Sequence, residues 1–438
     1  MQDIDVLPTL RKRTTASLKE IFKARETREV AAFLTSQFIG FLVFMSLRQI
    51  FPLYMQKISG LSAVDAYAKW AIIVSAYTLG GIITRIPAGF ILEKIGRRTL
   101  IVSSYILMTL AVVGLIFTDN IIILAFLFII LRSTNNIFGL SSRSLLSDIE
   151  TKYKGFYNSI ISTSGRFGSL IGVITLGILL EFLDPVVMIV VVIALSVLGI
   201  ILFLLIFIKG EGEERQLERR YNLNEEGKTK LRFRDFTQTI FIFFFVAFTI
   251  FGVMEGLSNP LFSIYAKNNL ALSESIVGIL LGLANLSFII VGPIIGFSIS
   301  HRKKLIDYLL LSSAILLSLN YCLIYIFPDN VGVFTAFLFI RNAGHALFFP
   351  VVMTILTSRL SKEHFSILYS VITTAFFIGL AGTSYLSSVL YSMDYTLPWF
   401  SSLLASLVLI ILITIYVLFN RKKNDESETN ELDFAGLK

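Results

Sequence analysis

Apolar residues in this chain come in long runs separated by short polar gaps. Twelve runs are of membrane length: residues 29–54, 68–92, 98–118, 121–146, 156–182, 185–208, 237–262, 273–298, 304–327, 331–357, 365–391 and 397–420. A bilayer core of about 30 Å takes roughly 20 residues of helix at a rise of 1.5 Å each. A backbone that crosses lipid must satisfy its own hydrogen bonds, and a helix does so within one segment. The pattern predicts an all-α polytopic membrane protein with twelve transmembrane helices. One gap is long: residues 209–236 carry eight Lys/Arg interspersed with acids. It reads as a solvated linker between two six-helix bundles, 29–208 and 237–420, with an N-terminal segment 1–28 and a polar tail 421–438. Within 1–28, residues 17–28 read either as a short amphipathic helix, with Leu18, Ile21 and Phe22 on a membrane surface, or as a solvated basic tail. That segment lacks the apolar centre of a cleavable signal peptide.

Composition narrows the class. The chain is 55% hydrophobic and 16% charged, outside the range of soluble enzymes, which are about 25% charged. The net charge of +8 comes from 38 Lys/Arg against 30 Asp/Glu. Those bases do not gather in one patch, so nucleic acid is not an expected partner. Thirty lie on the side of the two termini and the linker, three (Lys57, Lys69, Lys267) on the opposite side, and five inside runs. This bias predicts cytoplasmic termini and linker in a multi-pass protein of the cell membrane. The single Cys322 excludes an internal disulfide. His301, His345 and His364 lack metal-ligand spacing. No metal or cofactor is expected, and no G-x-x-x-x-G-K-[ST] loop is present to bind ATP. Enzymatic activity is not expected.

The gap between the second and third runs holds a pattern. Gly89, Glu93, Lys94, Gly96, Arg97 and Arg98 follow G-x-x-x-[DE]-[RK]-x-G-[RK]-[RK], with Arg85 just before. This resembles the loop between the second and third helices of major facilitator superfamily transporters. Glu93 stands where that family usually has Asp, and Lys94 where it often has Arg. The resemblance implies two pseudo-symmetric six-helix bundles. It also implies a conformational-switch role for the loop, with Glu93 against the N-terminus of helix 11 near Ser361–Phe365, where a carboxylate is favourable. The halves echo one another, as parallel repeats do in such transporters. Pro52 and Pro260 are 208 residues apart, Gly89 and Gly296 207, Arg132 and Arg341 209, and Tyr157 and Tyr369 212.

Six charges lie well inside runs, away from their ends: Arg48, Arg85, Arg132, Arg166, Arg341 and Glu255. Each costs about 2.5–3.5 kcal/mol at a helix centre, so such residues face a wet cavity or a partner and are candidates for function. Counting along the helices puts Arg132, Arg166 and Arg341 near the midplane, with Arg48 and Glu255 farther out. Helical spacing puts Arg132 with Asn136, Arg341 with His345, and Glu255 with Asn259 on shared faces. The family resemblance implies that helices 1, 4, 7 and 10 line the cavity, and the stripes fall on those helices. Arg132, Asn136, Arg341, His345, Arg166 and Asn259 are the candidate substrate-binding residues. Glu255 and Arg48 are candidates for proton coupling or for an outer gate pair facing across the cavity. Arg85 is expected to snorkel or support the loop.

Four arginines against one glutamate favour an anionic cargo, since Arg pairs carboxylate or phosphate bidentately. The reading is a secondary, alternating-access transporter of a small organic anion or metabolite, with protons as a candidate coupling ion. A proton-coupled exporter of drugs or amphipathic metabolites is the competing transporter reading. A non-transporting membrane sensor or assembly factor is the alternative from another class.

Overall fold

The computed structural model describes residues 26–95, 97–147, 154–207, 238–301, 305–359 and 365–435. Among them are twelve helical spans long and apolar enough to cross a membrane, and no strand. The first six are α1 (Glu26–Ser59), α2 (Ala63–Ile95), α3 (Arg97–Gly114), α4 (Ile121–Ser147), α5 (Lys154–Phe182) and α6 (Pro185–Phe207). The seventh is split into α7a (Thr239–Ser258) and α7b (Phe262–Asn268) by a 3₁₀ turn at Asn259–Leu261. The eighth comprises α8a (Glu274–Leu283) and α8b (Asn285–His301). Then follow α9 (Ile306–Ile326), α10 (Val331–Arg359), α11 (Phe365–Met393) and α12 (Leu397–Ala435). The chain is a multi-pass membrane protein.

Several helices outrun the apolar runs because polar flanks continue the helix beyond the hydrocarbon. Lys57 and Lys69, expected in loops, lie inside α1 and α2, and α12 carries helix through the expected tail as far as Ala435. The two matched prolines behave differently. Pro52 sits within continuous α1, whereas Pro260 lies in the 3₁₀ turn that interrupts helix 7. A proline removes one intrahelical bond. At Asn259–Pro260 the backbone tightens to i→i+3 pairing instead of resuming at once.

Within the first half, α1 packs on α5 and α6, α2 on α4, and α3 on α4 and α6. The second half repeats this: helix 7 packs on α11 and α12, α8b on α10, and α9 on α10 and α12. Between halves, α2 lies along α11 and α5 along helix 8. The pairings correspond one to one after a shift of six helices, as parallel repeats require. Large apolar side chains such as Ile83, Leu110, Phe126, Ile411 and Leu418 stay exposed. They form the surface that lipid covers, where exposure costs nothing.

The two halves meet firmly at the end where α1, α5, α7b and α11 finish, here termed the distal end. Tyr67 of α2 and Ser387 of α11 are bonded at 2.5 Å, and Gln56 donates to Asn268 at 2.9 Å. Glu181 of α5 accepts the backbone N–H of Ser275 at 2.8 Å, capping the first turn of α8a from the opposite half. That placement suits a carboxylate at a helix N-terminus. Just below, Gly177 and Gly278 touch backbone to backbone: a Cβ on Gly177 would lie 2.7 Å from the Cα of Gly278. The side-chain hydrogen bonds that Arg48, Gln56, Tyr67, Ser75, Arg166 and Glu181 make to the other half lie from mid-depth to this distal end. The arrangement is sealed distally. The expectations for residues 17–25 and the linker 209–236 lie outside the described residues. So do Gly96 and the side chains of Glu93, Lys94, Arg97 and Arg98. The helix bounds place Glu93 and Lys94 in the last turn of α2, and Arg97 and Arg98 at the start of α3.

Candidate functional site

Polar side chains inside the spans converge where the halves meet at mid-depth. In the second half, Arg341 and His345 stand one turn apart on α10 and both reach Glu255 of α7a. Arg341 donates Nε–H to Glu255 Oε1 at 3.2 Å and a terminal N–H to Oε2, a two-pronged pair. His345 Nε2 lies 3.1 Å from Oε1, and a carboxylate there favours the tautomer that donates from Nε2. Tyr321 of α9 donates to the same Oε1 at 3.3 Å and pairs with Ser258 at 2.8 Å. Glu255 is only 2% exposed and Arg341 7%. A lone buried carboxylate would be costly; here every lone pair has a donor.

The first half is built differently. Arg132 of α4 donates to the Tyr77 hydroxyl of α2 at 3.1 Å, and its guanidinium lies over the Phe377 ring of α11 at 4.5 Å. Gly81 on α2 leaves room for it: a Cβ there would lie 3.0 Å from Arg132 Nε. That Nε is buried without a hydrogen-bond partner. Arg48 of α1 lies on the Tyr77 ring at 5.2 Å, and Arg132 on the same ring at 5.1 Å. Arg166 of α5 crosses to helix 8, donating to Asn285 at 3.4 Å and stacking on Phe288 at 4.4 Å. Arg166 is also within Coulombic reach of Arg341, Arg48 and Glu255. Four guanidinium groups and one carboxylate therefore share this centre.

One expectation needs correction. Arg48 and Glu255 do not face one another as a pair. Asn259, freed by the break in helix 7, stands between them: Arg48 donates to its Oδ1 at 3.5 Å, and its Nδ2 donates to Glu255 at 3.2 Å. Asn136 turns to its own half, donating to Gly81 O at 2.9 Å and Thr84 at 3.3 Å, and so pins α4 to α2. Arg85 lies over Phe377 at 5.2 Å. Tyr77, Tyr321, Asn285 and Phe377 join the site without having stood out in the sequence. Asn285 was detectable as a lone amide inside an apolar run; the aromatic residues look like core. Among the described residues, no cluster of three or more His, Cys, Asp or Glu can hold a metal.

This architecture has known relatives. The family model for the Major Facilitator Superfamily matches residues 33–255 and 244–436. The chain belongs to the major facilitator superfamily. Among solved structures, a POT family transporter in complex with 5-aminolevulinic acid superposes with a TM-score of 0.70 at 14% identity, covering 91% of this chain and 98% of that one. A POT family transporter bound to a thioalcohol-conjugated peptide gives 0.69 at 15% identity, with 90% and 96% covered. The human organic anion transporter MFSD10 (TETRAN) gives 0.67 at 11% identity, with 89% and 100% covered. At such identities the likeness is one of fold. No curated protein sequence matches the chain. As a major facilitator chain it is a membrane transporter by family, and its mid-depth charges lie between the two halves of a transporter fold.

Proposed function

We propose that this protein is a secondary, alternating-access transporter of a small organic anion, coupled to protons, in the cell membrane with both termini in the cytoplasm. The observation that carries the reading is the charge at the centre: Arg48, Arg132, Arg166 and Arg341 gather there, and of the four only Arg341 bonds a carboxylate, Glu255, among the described residues. An anion entering between the halves relieves that excess through charge-assisted, edge-on hydrogen bonds. The same excess disfavours a lipophilic cation, which sets this reading above the exporter. A sealed distal end supports a cytoplasm-facing state, with the lysine and arginine bias giving the orientation.

Proton coupling is assigned to Glu255 and His345. A proton on Glu255 frees the edge of Arg341, and His345 beside it is the second acceptor. The test is exchange in proteoliposomes with the full chain. Labelled monocarboxylates should exchange and labelled tetraphenylphosphonium should not, with carboxylate uptake accelerated by an inward proton gradient. Exchange of the cation alone contradicts the anion reading. Uptake indifferent to the gradient in both wild type and Glu255→Gln removes the proton role.

A further inference from the structure

The two halves repeat their helix pairings but not their charges. Arg132 precedes Arg341 by 209 residues, and Arg48 precedes Glu255 by 207. In the second half, helix 7 supplies a carboxylate to the α10 arginine. In the first half, α1 supplies an arginine at the matching position, so α4 has a base where its counterpart has an acid. Arg48 and Arg132 consequently share the Tyr77 ring. Among the described residues no carboxylate reaches either of them. Arg132 is 9% exposed, and its Nε has no partner. Phe377 lies over the Arg132 guanidinium, and the Tyr77 hydroxyl takes one of its N–H groups. Rings on a guanidinium occupy its faces and leave in-plane N–H groups for an oxyanion.

We propose that the substrate's head group is a carboxylate that binds between Arg48 and Arg132 beside Tyr77, standing to Arg132 as Glu255 stands to Arg341. This rests on the anion reading above and assigns the head group to the first half. Arg341 is already matched by an internal carboxylate and is not the head-group site. Phe377 comes from the second half, so the head-group site is complete only while α2 and α11 are in contact.

The pseudo-symmetry gives a test that does not need the natural substrate. Arg48→Glu supplies the missing carboxylate from within the chain, and Arg48→Gln removes the charge without supplying one. Thermal unfolding of the full chain in detergent is followed for wild type and both variants, alone and with a series of monocarboxylates from acetate to decanoate and benzoate. The expected result is that Arg48→Glu alone melts above Arg48→Gln. Carboxylates should raise the midpoint of wild type, while the concentration needed for Arg48→Glu rises at least about tenfold, the least that a lost charge-assisted hydrogen bond is worth. Arg48→Glu melting below Arg48→Gln overturns the proposal, whatever the ligands do. Undiminished carboxylate stabilisation of Arg48→Glu also overturns it, yet leaves the anion reading standing. If no carboxylate stabilises wild type, the anion reading fails, and the order of the two unliganded variants still decides whether the gap fits a carboxylate.

Discussion

Replacing Glu255 by Gln should reveal how much of the second half's stability is held in its buried charges. The carboxylate receives two N–H groups from Arg341, one from Asn259 and the hydroxyl of Tyr321, with His345 beside it. It is 2% exposed, so water cannot replace what is lost. Removing one member of a buried ion pair costs about 3–5 kcal/mol, because the other charge is left uncompensated. The amide oxygen of Gln keeps one acceptor, offsetting about 1 kcal/mol. The expected loss is therefore about 2–4 kcal/mol for Glu255→Gln, and the full 3–5 kcal/mol, again about, for Arg341→Gln. The double variant removes both charges and should lose only about 1–2 kcal/mol, far less than the two losses combined, since contacting residues in one network are not additive. Thermal or denaturant unfolding in detergent measures all four corners of the cycle. A double variant whose loss equals the combined losses of the single variants would refute the view that these groups form one neutralised unit.

Other perturbations address the seam and the supports. Gly177→Val should hold the distal end apart, because even its Cβ would lie 2.7 Å from Gly278 Cα and 2.8 Å from Glu274 O. A Gln56→Cys/Asn268→Cys pair in a Cys322→Ser background should be joined readily by a short bifunctional thiol reagent, and Gly177→Val should suppress it; unchanged cross-linking contradicts the close-packed seam. Glu181→Gln removes a charge from the first turn of α8a, worth about 0.3–1 kcal/mol, so the same cross-link should form a few-fold more slowly. Asn136→Ala should cost about 1 kcal/mol of stability through the lost bond to Gly81 O, with carboxylate affinity unchanged; a loss of affinity at full stability would return Asn136 to the binding site.

What the sequence shows here follows from what lipid forbids. Membrane-length apolar runs are legible because a spanning backbone has few alternatives to a helix. Arg48, Arg132, Arg166, Arg341 and Glu255 stand out because charge in such a run is expensive. Their pairings are not legible in the same way. Glu255 and Arg341 are 86 residues apart, and only packing of helix 7 against α10 makes them partners. The position of each charge along its helix suggested an Arg48–Glu255 gate, but side-chain reach and the broken helix at Asn259 placed an amide between them. Tyr77, Phe377 and Phe288 carry no mark that separates them from the other aromatic residues of an apolar chain. The distal seam was hidden for the opposite reason, since Gly177 and Gly278 act by having nothing to show.

The central claim is that unmatched guanidinium groups between the halves hold an anion. Its most direct measurement is equilibrium exchange of a labelled carboxylate in proteoliposomes containing wild type or Arg132→Ala, with folding of both verified by unfolding midpoint. Wild-type exchange that is lost in well-folded Arg132→Ala is the predicted result. Carboxylate exchange that proceeds at the wild-type rate without Arg132 would contradict it.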